Sequence, residues 1–337
     1  MSLLSQATKR RRSLVALSWL GFVLLIALSA DWLPLSYAPR STDLAHLTEP
    51  PLLSTASPRH WLGTDPFGRD LLANLIFGAR TTLLVSLPAA LLATGLGVLL
   101  GSAAGFWGNT ALRIKVGYLL ASIGTILFAI FSLNGLWPTP ALYWPLGVVA
   151  FTLVTLAATS YLSLLRRAVA LPVDRLVMSA VALLESIPRL VLVLVIASVQ
   201  DASILSLLVV LSITYWTGPA RLIRAEIMRV KVLPYIEAAR AAGLSDSSIL
   251  VHHVLPNASR SVRTALPLSI AALIGLETTL SFLGIGLPEG TASWGRLMAS
   301  ARLEPTAWWL ITSPGLMLLC TMLALRQLAR TKGYPGE

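Results

Sequence analysis

Long apolar runs almost free of charge restrict this chain more than any other feature. Eight segments qualify: Leu14–Ala30, Thr81–Phe106, Val116–Leu136, Tyr143–Leu165, Leu176–Val199, Ala202–Ala220, Thr264–Leu287 and Pro305–Leu325. A helix rises 1.5 Å per residue, so about 20 apolar residues cross a hydrocarbon core about 30 Å thick. Backbone groups in lipid must be satisfied within the segment, and the alternating ten-residue pattern of a membrane barrel is absent. The sequence therefore predicts an all-α polytopic membrane protein with about eight transmembrane helices. Composition agrees, with 12% charged residues against roughly a quarter in soluble domains. Such a chain is not disordered. Nor is it a disulfide scaffold, because Cys320, the only cysteine, sits in an apolar run.

Basic residues set the orientation. With the N-terminus cytoplasmic, 19 of the 26 lysines and arginines fall on the inner side, within 1–13, 113–115, 166–175, 221–263 and 326–332. Six fall outside (Arg40, Arg59, Arg69, Arg80, Arg296 and Arg302), and Arg189 lies within a span. Both ends are thus expected in the cytoplasm. The net charge of +11 reflects this bias and contact with membrane lipid. No nucleic acid is expected, since no soluble basic face with interleaved aromatics exists. Residues 1–13 read as a cytoplasmic basic N-terminus and 14–30 as an uncleaved first transmembrane helix, its apolar run exceeding a usual signal core. Residues 31–80 form an outer loop, and 81–109 carry the second transmembrane helix. Within that loop Asp65 reads as an N-cap and Pro66 as the first helical position of an interfacial helix bearing Leu71, Leu72, Leu75 and Ile76 on one face.

Segment 221–263 is the most informative. Tyr235-Ile236-Glu237-Ala238-Ala239-Arg240-Ala241-Ala242-Gly243 reads as a short helix stopped at glycine. Ser245 and Asp246 then offer an N-cap for a second short helix, Ser247–Val254, ending before Leu255-Pro256-Asn257. Two short helices joined at a glycine would form a rigid knob. Its small alanines admit a partner's backbone, and Glu237 and Arg240 supply charge for register. An ordinary amphipathic connecting loop fits the same residues.

Three motifs in order carry a resemblance. Glu237-Ala238-Ala239, Gly243 and Leu255-Pro256 resemble the signature loop of ABC importer permeases. His60-Trp61-Leu62-Gly63-Thr64-Asp65-Pro66-Phe67-Gly68-Arg69-Asp70 with Gly78-Ala79-Arg80 resembles the segment before the second span in the dipeptide, oligopeptide and nickel branch. Leu280-Ser281-Phe282-Leu283-Gly284-Ile285-Gly286 and Ser293-Trp294-Gly295 resemble its final outer loop. The resemblance implies a six-span core with 172–325 as its main part, a two-helix insertion at 110–171 turning at Trp137-Pro138-Thr139-Pro140, and a cytoplasmic tail at 326–337. That tail lacks the branch's usual acidic and arginine-rich closing motif. Implied partners are a homologous second permease, cytoplasmic ABC ATPases and an extracytoplasmic substrate-binding protein, in a bacterial inner membrane. Tyr235, Glu237, Ala238, Ala239, Arg240, Gly243, Leu255 and Pro256 would couple to the ATPase. Asp65, Arg69, Asp70 and Trp294 are the candidate contacts for the binding protein. The substrate would be a peptide, nickel or a metal chelate, with peptides the broader class.

No G-x-x-x-x-G-K-[ST] loop occurs, so ATP and Mg would be used by partner subunits and no cofactor is expected on this chain. No G-x-S-x-G elbow occurs, and His46, His60, His252 and His253 show no metal-ligand spacing. The chain reads as non-catalytic. Charges within spans mark candidate pathway residues: Glu185 and Arg189, four apart and able to pair across Pro188, which would loosen or kink their helix, and Glu277, which has no charged partner in its helix and would line the pathway, bond to another span or meet a sister subunit. An ion-coupled secondary transporter using Glu185 and Glu277 is the alternative. Gly95, Gly97, Gly101 and Gly105 would allow close helix packing in the second span.

Overall fold

The computed structural model describes residues 2–51, 60–133, 144–161, 168–199 and 201–332. The chain divides into two compact units, one of Met1–Ser102 with Ala180–Glu337, the other Ala103–Ser179.

The larger unit is built on α1 (Ser2–Ser29), α2 (Leu71–Trp107), α6 (Arg189–Val199), α7 (Ile204–Tyr215), α8 (Thr217–Val230), α11 (Leu255–Phe282), α12 (Trp294–Ser300) and α13 (Trp309–Lys332). Two apolar clusters hold it. In the first, Val23 and Ala27 of α1 join Leu71, Leu75 and Ala79 of α2, Trp294 and Leu297 of α12, and Leu310 of α13. In the second, Val85 and Ala89 of α2 meet Val193, Leu207, Leu211, Leu273 and Leu280. Polar contacts add register where apolar packing alone is slippery. Trp19 Nε1 donates to Thr321 Oγ1 at 3.2 Å, fixing α1 against α13.

Glycine brings α2 onto α8. A Cβ at Gly101 would lie 2.3 Å from the Ala220 carbonyl oxygen, and one at Gly97 would lie 2.7 Å from that of Trp216. Both obstacles are backbone, so neither can swing aside. Gly95 faces open space, and its expected packing role is not seen. Gly101→Val should force the two helices apart at about 1–3 kcal/mol, the usual penalty of overpacking. A fall of several degrees in the thermal midpoint of the purified protein checks this; an unchanged midpoint would show that the contact is dispensable.

In the smaller unit, α3 (Val116–Leu133) and α4 (Trp144–Tyr161) run antiparallel, with Phe128 stacked on Phe151 at 5.1 Å and Thr125 Oγ1 3.3 Å from Thr152 Oγ1. A two-stranded ribbon, β1 (Arg113–Lys115) with β2 (Ala168–Ala170), joins their base. The Trp137–Pro140 turn, the ends of the third and fourth expected spans, and Arg166 and Arg167 lie outside the described residues, as do Arg59 and the tail from 333.

Among the described residues five helical stretches are long and apolar enough to cross a membrane: Arg11–Ser29, Leu71–Trp107, Ile204–Val230, Asp246–Phe282 and Trp309–Arg330. A sixth exists if α5 (Val173–Glu185) and α6 count as one span, but they meet at 83°. The span over Leu176–Val199, expected to loosen or kink at Pro188, is therefore a broken one. Pro188 lacks the N–H an unbroken helix needs, and it pushes Ile187 out of the helical region.

Two expectations are corrected. There is no separate interfacial helix over Leu71–Ile76: α2 runs unbroken for 37 residues from Leu71. Its first turn is capped by Asp70, whose Oδ2 accepts from Ala73 N at 2.7 Å, while Asp65 closes a turn upstream by accepting from Phe67 N and Arg69 N. Nor does the helix after Ser245 stop before Leu255. The short α10 (Asp246–Ser248) passes through a π-helical turn, Ile249–Val254, straight into α11. The widened turn places Pro256 in the first turn of α11, where a missing donor does no harm.

Candidate functional site

The knob is built around α9 (Pro234–Ala241). Pro234 starts it with φ already fixed and no N–H required. Ile236, fully buried, anchors it beside the π-helical turn, where Ile249, Leu250 and Val254 are buried too. Gly243 ends it at φ +83°, a left-handed conformation that other residues adopt only with strain, and Leu244 N closes the turn on Ala239 O at 3.3 Å. Ser245 Oγ accepts from Ser248 N at 3.3 Å and so caps the next helix. Asn257 Nδ2 donates both to Tyr235 Oη at 3.0 Å and to His253 O at 2.9 Å, tying α9 to α11. Below, Arg229 grips Glu226 Oε2 with two donors at 3.0 and 2.8 Å, and Ser261 donates to Glu226 Oε1 at 2.8 Å. The knob is thus tied to α11 through Asn257, and α11 in turn to α8 through Glu226.

What the knob presents is exposed. Tyr235, Glu237, Ala238, Arg240, Gly243 and Pro256 are at the surface, while Ala239 and Leu255 are half-buried. Val232, Leu244 and Val251 are exposed around them. Those three apolar side chains were missed in the sequence reading, although apolar residues in a loop between spans are a usable signal.

The expected Glu185–Arg189 pair does not form. The break at Pro188 separates their helices, Glu185 Oε2 meets Arg221 Nη1 at 3.0 Å instead, and Arg189 lies 4.5 Å above the Tyr215 ring and within 3.4 Å of Thr217 Oγ1. Arg189 and Tyr215 line a cavity of about 210 Å³ together with Thr94, Pro219 and Ser269. Of the three candidate pathway residues, Arg189 is the one that lines this cavity.

Glu277 is fully buried. Its carboxylate accepts from Thr82 on α2 at 3.1 Å, from Ser281 on its own helix at 2.8 Å and from Ser293 at 3.1 Å. Ser293 is also the N-cap of α12, so one carboxylate joins three helices. Of the roles left open for Glu277, a bond to another span is the one that Thr82 supplies.

Three of the four candidate binding-protein contacts point inward. Trp294 is 1% exposed, its Nε1 donating to Leu75 O at 3.0 Å. Asp65 and Asp70 are buried in their turns, and burial raises the Asp65 carboxyl above its ordinary range against the pull of its hydrogen bonds and of Arg69. Direct contact with a partner needs exposure, which Arg69 alone retains. Arg69 lines a cavity of about 360 Å³ with Phe67, Arg296 and Arg302. Arg296 lies below its ordinary pKa through burial first and the nearby Arg69 cation second, and it is held by the carbonyls of Leu287, Pro288 and Thr291.

Residues 168–331 match the family described as Binding-protein-dependent transport system inner membrane component, a stretch that includes the knob, Arg189 and Glu277. A Brucella suis protein named for a peptide transport system permease is 29% identical over 318 residues, covering 94% of this chain and 84% of the relative. A second Brucella suis protein, named for a peptide permease, is 29% identical over 299 residues, 87% of this chain and 76% of its own length. The oligopeptide transport system permease protein OppC of Bacillus subtilis is 26% identical over 327 residues, 96% of this chain and 85% of its length. With its apolar helices and exposed, anchored knob, the chain resembles the inner-membrane components of binding-protein-dependent transport systems, whose domain residues 168–331 match, and its relatives are non-catalytic permeases of ABC importers.

Proposed function

We propose that this permease forms half of a translocation pathway for peptides and takes its drive from ATPases seated on α9. The single observation that carries the coupling is the knob: Tyr235–Gly243 is exposed along most of its length, yet tied to α11 through Asn257 and joined to α8 by the short link 231–233. A push on α9 would then be delivered to two spanning helices at once, as a rigid lever requires. Peptide as the solute rests on the names of the relatives from Brucella suis and Bacillus subtilis. In this reading the protein lies in the bacterial inner membrane with both ends and the knob cytoplasmic. A homologous permease completes the pathway, ABC subunits bind and hydrolyse MgATP, and a substrate-binding protein delivers solute near Arg69. An ion-coupled carrier finds less support, because Glu277 is sealed from solvent by hydroxyl donors and Glu185 is paired with Arg221.

The test is gentle purification of the chain from its native membrane, followed by uptake of labelled tripeptides into cells with and without it. Recovery of a second permease and P-loop ATPases, with peptide uptake lost and nickel uptake kept in the deletion strain, is the expected result. Isolation of the chain alone, still transporting in vesicles without ATP, would overturn the coupling; loss of nickel uptake alone would overturn the substrate.

A further inference from the structure

Away from the knob and the spans, the 31–80 segment gathers Asp43, His46 and His60 so that one ligand atom from each lies within 4.8 Å of the others. Asp43 Oδ2 is 2.9 Å from His46 Nδ1 and 3.8 Å from His60 Nε2. His60 is 5% exposed and stacks on Tyr37 at 4.3 Å, and its Nε2 has no hydrogen-bond partner. Its other nitrogen is accounted for: Nδ1 lies 2.9 Å from Asp70 Oδ1, while Asp70 Oδ2 accepts from Ala73 N at 2.7 Å. An ionised Asp70 can only accept, so Nδ1 donates to it, and Nε2 is left facing the Asp43 carboxylate without a hydrogen bond. A buried imidazole nitrogen and a partly exposed carboxylate oxygen facing each other at 3.8 Å, too far apart for a hydrogen bond, form an arrangement that a bound cation would bridge.

We propose that Asp43, His46 and His60 bind a divalent transition cation of the zinc class. Bonds of about 2.0–2.1 Å to imidazole nitrogen and carboxylate oxygen can span both the 2.9 and the 3.8 Å separations with small side-chain adjustments. Imidazole with carboxylate suits zinc, copper or nickel better than magnesium or calcium. Asp70 supplies the outer partner that orients a ligating histidine, the carboxylate–histidine–metal arrangement of many metal sites. Entry is open, since the Asp43 and His46 side chains keep 21% and 24% of their exposure. Glu49 Oε1, 3.9 Å from His46 Nε2, holds that ring's far side. No sequence spacing announces the site, because His60 joins Asp43 and His46 only through the folding of the loop. The ion would cross-link the segment that leads into α2, independently of what the permease transports.

The full-length protein, carrying a tag without histidines and stripped with chelator, is titrated with Zn²⁺ in detergent against a chromophoric zinc indicator. The expected result is one equivalent bound at micromolar affinity or tighter, with a raised thermal midpoint. Both effects should be lost at least tenfold in His46→Gln and in Asp43→Asn, and kept in His252→Gln/His253→Gln. His46 and Asp43 are partly exposed, so these variants should fold, and an unchanged midpoint in chelator checks that they do. Absence of stoichiometric binding by the natural protein, or binding that survives in both His46→Gln and Asp43→Asn, would overturn the site.

Discussion

Ala238→Trp should cut solute uptake by more than tenfold while leaving the permease folded and in the membrane. Ala238 lies on the exposed side of α9, opposite the buried Ile236, and an indole there meets nothing within this chain. The thermal midpoint of the isolated permease should therefore stay unchanged. On the partner's side the same indole would stand where a backbone must approach. A steric block at the centre of an interface costs about 2 kcal/mol or more, roughly 30-fold in affinity. Co-purification of ATPase subunits measures the effect directly, and transport follows it. Glu237→Lys, which changes charge without bulk, should weaken retention less and in a salt-dependent way. Full uptake and full ATPase retention in Ala238→Trp would place the coupling contact elsewhere on the loop.

How far the sequence reaches can be judged from particular residues. Apolar runs marked five of the spanning helices, because membrane burial is a property of each segment by itself. The knob was legible for the same reason: Pro234, Gly243 and Ser245 act through local backbone preferences. Where the reading failed, the deciding partner was distant in sequence or the local signal had two outcomes. Pro256 did not end its helix, because the π-helical turn ahead of it carries the chain through. Asp65 and Asp70 are equally good caps on paper, and the pairing of Thr64 with Asp70 across the turn gives the helix start to Asp70. Glu185 found Arg221 rather than Arg189. Trp294 was taken for a surface contact because it lies in a loop motif, whereas it fills the core between α2 and α12.

Glu277→Ala should be the most destabilising single change outside the apolar core. Removing the carboxylate leaves Thr82 and Ser293 as buried hydroxyls without their acceptor, and each such orphan costs about 1–3 kcal/mol. Ser281, four residues along the same helix, can turn back to a backbone carbonyl and loses less. A total of about 2–6 kcal/mol corresponds to a fall of roughly 4–24 °C in the thermal midpoint for a unit of this size. Glu277→Gln keeps one acceptor oxygen and should show less than half the fall. Thr82→Val removes the bond to α2 at nearly constant volume and isolates that single contribution. Because the carboxylate reaches α2, α11 and the cap of α12 together, its loss should loosen the helices around Trp294, and the tryptophan fluorescence maximum should shift to the red. A pathway role predicts the opposite pattern: an undisturbed midpoint and spectrum in Glu277→Ala with uptake abolished. That outcome would return Glu277 to the list of residues that meet the solute, and would mean that the enclosure by Thr82, Ser281 and Ser293 opens during transport.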